Sequence, residues 1–194
     1  MSNDSKEKIL QAAMALFAEQ GYHDTSMSSI AKKAGLAKGT LYWHFNSKEE
    51  LFKQLISKKG KGLFNHLEML TTETGSPESI IKQFIYHKLN FMYEHRELSI
   101  ILFNNDHCKD EEFMLQLINQ HKELVNKLTN VIEKGRQDGR FQFSGQSKDV
   151  AIAILGMVNG MHHTIVLNQK NELKVDVDQK VELIYQMVMN GIMD

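Results

Sequence analysis

Within the stretch AGLAKGTLYWHF, residues 34–45, an ammonium, a hydroxyl, two aromatic rings and an imidazole stand close together: Lys38, Thr40, Tyr42, Trp43 and His44. Lys38 can reach guanine acceptors, Thr40 or Trp43 can touch a thymine methyl, and Tyr42 and His44 can hydrogen-bond to phosphates. Leu41 and Phe45, four apart, share one helical face and supply its buried side. Trp43, the single tryptophan of the chain, is then left outside the core, where a large exposed ring is informative.

The elements that would hold these residues can be read around them. Ile9, Leu10, Ala13, Leu16 and Phe17 recur every 3–4 residues, predicting an amphipathic helix over about 5–20 that Gly21 ends. Thr25 and Ser26 offer capping hydroxyls to a short second helix with Ile30, Ala31 and Ala34, which Gly35 breaks. A third helix is predicted over about 38–45. Ser47 and Glu50 form a capping box for a fourth, which carries Leu51, Phe52, Leu55 and Ile56. Two helices joined by a short Gly-containing turn and packed on a preceding helix make a helix-turn-helix, whose second helix lies in the major groove.

The segment TSMSSIAKKAGLAKGTLYWHFNSKEELF, residues 25–52, resembles the DNA-binding signature of TetR-family transcriptional regulators, and the likeness extends over about residues 5–55. One departure is Ala37, where many members carry a Ser or Thr cap. The resemblance, with the physics of helix termini, implies phosphate contacts for Thr25, Ser26 and Lys48. It places Gly39 on the same surface as Lys38, Thr40, Tyr42, Trp43 and His44. It also implies a homodimer, a small-molecule effector site in the remaining helices, and a dimer contact through the last two of them.

Downstream, Ser76-Pro77-Glu78 is a strong helix start, opening a helix to about residue 94. A short piece over 96–105 and a long helix over 109–138, with Phe113, Leu117, Leu124, Leu128, Val131 and Ile132, should follow; 141–146 reads as a loop. Helices over about 147–169 and 178–192 complete the chain. Phe84, His87, Phe91, Met92, Phe103, Met114, Leu117, His121, Met157 and Met161 should face one another, and eight of the eleven Met follow residue 62. Unbranched Met fills irregular space, so these residues could line an apolar effector pocket with His87 or His121 as polar anchor, or simply form core. VAIAILGMVNGMHHTIVL, 150–167, is apolar nearly all round and should bury two faces. With the stripe Val181, Ile184, Tyr185, Val188, and with Ile154, Gly156 and Gly160, it suggests a four-helix bundle between two copies.

Composition agrees with an all-α fold. There is one Pro in 194 residues and no run of 18 apolar residues. The polar start MSNDSKEK and the single Cys108 suggest a cytoplasmic protein. Net charge is −1, yet residues 1–62 hold ten Lys against six acids, and residues 63–194 hold thirteen Lys and Arg against eighteen. Such a split suggests a polyanion-binding head on a body that does not share the task. The division expected is a DNA-binding domain over 1–47, linked by the helix at about 48–70, and an effector-binding and dimerisation domain over 48–194.

No hydrolase, P-loop or CxxC signature occurs, so no enzyme is expected. Nine His, with Cys108, Asp106, Asp110, Glu111 and Glu112, show no tight ligand spacing, and neither metal nor cofactor is expected. The reading is a DNA-binding regulator, a repressor released by a small, largely hydrophobic effector. The alternative is a ligand-scavenging protein without regulatory DNA binding.

Overall fold

The computed structural model describes residues 2–72, 75–95, 111–167 and 176–192. The described residues form the helices α1 (Ser2–Gln20), α2 (Met27–Lys33), α3 (Lys38–His44), α4 (Lys48–Thr72), α5 (Pro77–Glu94), α6 (Glu111–Gln137), α7 (Ser147–Leu167) and α8 (Val177–Ile192). The expected piece at 96–105, with Phe103, lies outside them. The fold is all-α, as expected.

Two compact units result. In the first, α1, α2 and α3 pack against one another around Ile9, Ala13, Phe17, Ile30, Leu41 and Phe45. The start of α4 belongs to the same unit, because its stripe Leu51, Phe52, Leu55 and Ile56 is buried. Phe52 meets Phe17 and Tyr22 with ring centroids 6.0 and 5.2 Å apart. The first unit runs from the N-terminus to Lys61 and also takes in the start of α6 up to Leu115, and the second runs over Gly62–Glu94 and from Gln116 onward. A three-helix head alone would leave that aromatic cluster open on one side.

Local chemistry accounts for the helix ends. Ser26 and Ser29 form a reciprocal capping box at α2, side chain to backbone at 3.0 and 3.1 Å. Gly35 adopts φ +67°, the left-handed region that suits glycine. The Leu36 N–H then donates to Ala31 O at 3.0 Å and Gly35 N–H to Lys32 O at 3.1 Å, closing α2 in a Schellman turn. Ala37 caps α3 without a side-chain hydrogen bond. Ser47 Oγ accepts from the Glu50 N–H, while the Glu50 carboxylate accepts from the backbone and side-chain amides of Asn46 at 2.8 and 3.0 Å. The expected box is thus shifted outward by one residue.

The second unit is organised by α5, which packs on both α7 and α8. Its core joins Ile81, Phe84 and Ile85 to Leu128 and Ile132 of α6, Ile154 and Val158 of α7, and Ile184 and Val188 of α8.

Candidate nucleic-acid interface and effector site

α3 is held from beneath. Leu41 and Phe45 are fully buried, whereas Trp43 is 73% exposed and Tyr42 43%. Lys38 and Gly39 are exposed, and Thr40 and His44 half-buried. Lys38 Nζ stands 5.7 Å from the centre of the Tyr42 ring, and the Trp43 and His44 rings are 4.6 Å apart, edge to face. A single short helix thus exposes an ammonium and two rings, with a hydroxyl and an imidazole half-buried beside them. Elsewhere in this unit Lys8, Lys33, Lys53 and Lys58 are paired with Asp4, Glu19, Glu49 and Glu7. Lys6, which sequence reasoning passed over, lies 5.6 Å from the centre of the Phe45 ring and has no acidic partner among the described residues. Its position became visible only when α1 was placed against α3.

The three residues expected at phosphates have internal engagements. The Thr25 side chain is buried; its hydroxyl donates to Gly21 O at 2.7 Å and accepts from Gln20 at 3.2 Å. Ser26 caps α2. Lys48 donates to the carbonyls of Tyr22, Thr25 and His23 at 2.7, 2.9 and 3.3 Å, with its ammonium 4.3 Å from the Tyr22 ring centre. Burial pushes its pKa down, against the pull of the Asp24 carboxylate. An ammonium has three hydrogens, so Lys48 here ties the α1–α2 connection to the start of α4. Replacing Lys48 by Met should lower stability by about 1–3 kcal/mol, since three carbonyls lose a charged donor. Urea unfolding checks this; unchanged stability with weakened DNA affinity would return the ammonium to a phosphate.

In the second unit the expected pocket residues separate. Phe84 is sealed in the core. Met92, Met157 and Met161 are half-buried and pack against that core. Phe91 and Leu117 are half-buried. His87 is half-buried, with its ring 4.2 Å from that of His66. His121 is exposed on α6, and Met114, also exposed, stands beside the buried Phe113 in the stretch of α6 that groups with the first unit. His121 is therefore not placed as an inward anchor. A surface groove between α5 and α8, lined by Lys82, Gln83, Tyr86, Asp178, Val181 and Glu182, contains the 2.7 Å ion pair of Lys82 and Glu182.

Of the residues expected at a dimer contact, Ile154, Val181, Ile184 and Val188 are closed inside the core of the single chain. That corrects the expectation: the stripe of α8 faces α5. Tyr185 is half-buried beside Lys82, whose Nζ lies 4.9 Å from its ring centre. Only Gly156 and Gly160 lie outward. The outer side of α7 and α8 instead shows Ile152, Leu183 and Met187, each about half exposed.

One residue of this unit was missed altogether. Lys88 projects from α5 four residues after Phe84 and seven after Ile81, both fully buried. Burial alone pushes its pKa down to about 8. The signal was available in the spacing, which puts a lysine at a core position of the helical repeat.

Residues 9–55 match the family model of bacterial regulatory proteins, tetR family, and residues 74–163 match that of the tetracyclin repressor-like C-terminal domain. The HTH-type transcriptional regulator AcrR of Shigella flexneri is 25% identical over 196 residues, which cover 97% of this chain and 91% of AcrR. The fatty acid degradation regulator FadR of Bacillus halodurans shares the fold with a TM-score of 0.80 at 24% identity, covering 96% of this chain and 95% of that one. FadR of Bacillus subtilis, solved in complex with stearoyl-CoA, does so with a TM-score of 0.78 at 23% identity, over 95% and 98% of the two chains. Family models account for head and body alike, and the chain belongs to the TetR family of bacterial DNA-binding transcriptional regulators.

Proposed function

We propose that this regulator is a cytoplasmic, non-enzymatic repressor that reads operator DNA with α3 and leaves it when a largely hydrophobic effector occupies the second unit. The observation that carries the reading is the solvent-facing side of α3, where Lys38, Tyr42 and Trp43 stand exposed on a fully buried base of Leu41 and Phe45. Lys38 and Trp43 serve as the base-reading side chains, Thr40 as a second methyl contact, and Tyr42, His44 and the backbone at Gly39 approach phosphates. Thr25 and Ser26 offer the α2 start rather than free hydroxyls, and Lys6 adds charge at the rim.

An effector of apolar character is supported by the half-buried Met92, Met157 and Met161 against the core, and by FadR of Bacillus subtilis having been solved with stearoyl-CoA. Emptying an operator almost completely requires about 10⁴-fold differential affinity of the effector for the non-binding form. The protein acts as a homodimer whose contact is the outer side of α7 and α8: Ile152, Leu183 and Met187, with Gly156 and Gly160 opening a strip for close approach.

Quantitative binding to the DNA upstream of the regulator's own gene tests the head. Lys38→Ala should cost about 1–3 kcal/mol, concentrated at one base position. Trp43→Ala should weaken operator binding while leaving weak, salt-dependent binding to random duplex in place. Equal operator affinity for both variants and the parent would overturn the assignment to α3.

A further inference from the structure

On α5, Lys88 occupies the centre of the face that the rest of the helix buries. Ile81, Phe84 and Ile85 precede it at helical spacing and are fully buried, and Phe91 and Met92 follow it half-buried. Among the described residues no acidic group pairs with it and no acceptor takes a hydrogen bond from its ammonium. Yet its side chain keeps some accessible surface, so the packing around it is not closed. Two other lysines of this unit show the alternative. Lys82 and Lys127 are each paired with a glutamate at 2.7 Å.

An unpaired ammonium among hydrocarbon side chains destabilises the unliganded fold, and a Met or Leu of similar volume would not. Where a chain keeps a local conflict of this kind, a functional site is the first place to look. A ligand that brings one negative charge resolves the conflict, because the charge-assisted hydrogen bond forms where water competes least.

We propose that Lys88 anchors an anionic amphiphile in the second unit: its ammonium takes the single negative head group and the half-buried Phe91 and Met92 take the start of the apolar chain. The proposal deepens the effector reading above and rests on it for the consequence at DNA, though not for the binding itself. It also assigns the polar anchor to Lys88 in place of His87 or His121.

The test uses the full-length protein and three probes of equal chain length below micelle formation: dodecanoate, dodecanol and dodecyltrimethylammonium. Dodecanoyl-CoA, a thioester whose charges lie on the phosphates of the carrier, forms a fourth arm that separates a free carboxylate from a phosphate-bearing acyl carrier. Affinity is measured by calorimetry for the parent and Lys88→Met, and DNA binding is followed on the same samples. The parent should bind dodecanoate or dodecanoyl-CoA at least tenfold more tightly than dodecanol and the cation. Lys88→Met should bind all the probes within about threefold of one another. Lys88→Arg, which keeps the charge, should retain the preference for the anion. An unchanged anion preference in Lys88→Met, or a parent that prefers the alcohol or the cation, would overturn the proposal. Anion binding that depends on Lys88 in a protein that fails to bind any DNA would leave this site standing and remove the regulatory reading instead.

Discussion

A protein carrying Leu183→Glu and Met187→Glu is expected to sediment as a folded monomer. Both side chains are about half exposed in the single chain, stand four apart on α8, and have no part in the core. Ile152 is similarly exposed on α7, and α7 packs on α8. Exposed apolar side chains concentrated on one side of two adjacent helices mark an association surface more often than a solvated one. In a twofold contact each substitution appears twice, and a desolvated carboxylate without a partner costs several kcal/mol. A weakening of dimerisation by a thousandfold or more therefore follows, since about 1.4 kcal/mol is tenfold. Ile184→Glu is the contrasting case. Ile184 is fully buried against α5, so a carboxylate there should unfold the second unit rather than release a monomer. Sedimentation with circular dichroism separates these outcomes, and an intact dimer for the double variant would show that the outer side of α7 and α8 is not the contact.

Lys88→Met is expected to stabilise the unliganded protein, unlike most substitutions at a core position. In the native state burial brings the Lys88 pKa from 10.5 to about 8. Between those values the unfolded chain holds a proton there that the native state has released, so stability rises with pH across the window. Below about pH 8 both states are charged and the native state carries the full penalty. One pKa unit corresponds to about 1.4 kcal/mol, so the penalty removed by the substitution at neutral pH is at most about 3.5 kcal/mol. Urea unfolding of parent and variant at pH 7 and pH 10, at one protein concentration, isolates the effect. The variant should be the more stable at pH 7, and the gap should narrow by pH 10. A variant less stable at both values would mean that the ammonium has a partner that holds it.

Helix order and most helix ends were legible in the residues themselves. Ser26, Gly35 and Pro77 act as their types suggest, and the α3 surface was visible because Leu41 and Phe45 account for its buried side. Three features were not legible, each for a physical reason. The α8 stripe of Val181, Ile184 and Val188 is a real apolar face, but periodicity says only that a face is covered. It cannot say whether α5 of the same chain or a second copy covers it. Lys48 was expected at a phosphate; its internal contacts could not be read beforehand because the carbonyls it binds belong to residues 22–25, and no local pattern announces a contact across that separation. Lys88 breaks an apolar repeat by its charge, and its place in the repeat carried more information than its residue type.

The claim on which the rest depends is that a dimer presents two copies of α3 to the major groove. Selection of tightly bound duplexes from a random pool addresses it directly. Enrichment of an inverted repeat, with half-site centres about one or two helical turns apart, is the result this account predicts. Its affinity should fall steeply with salt and weaken most when Lys38 or Trp43 is replaced. Recovery of no common sequence, with binding that only tracks ionic strength, would contradict it.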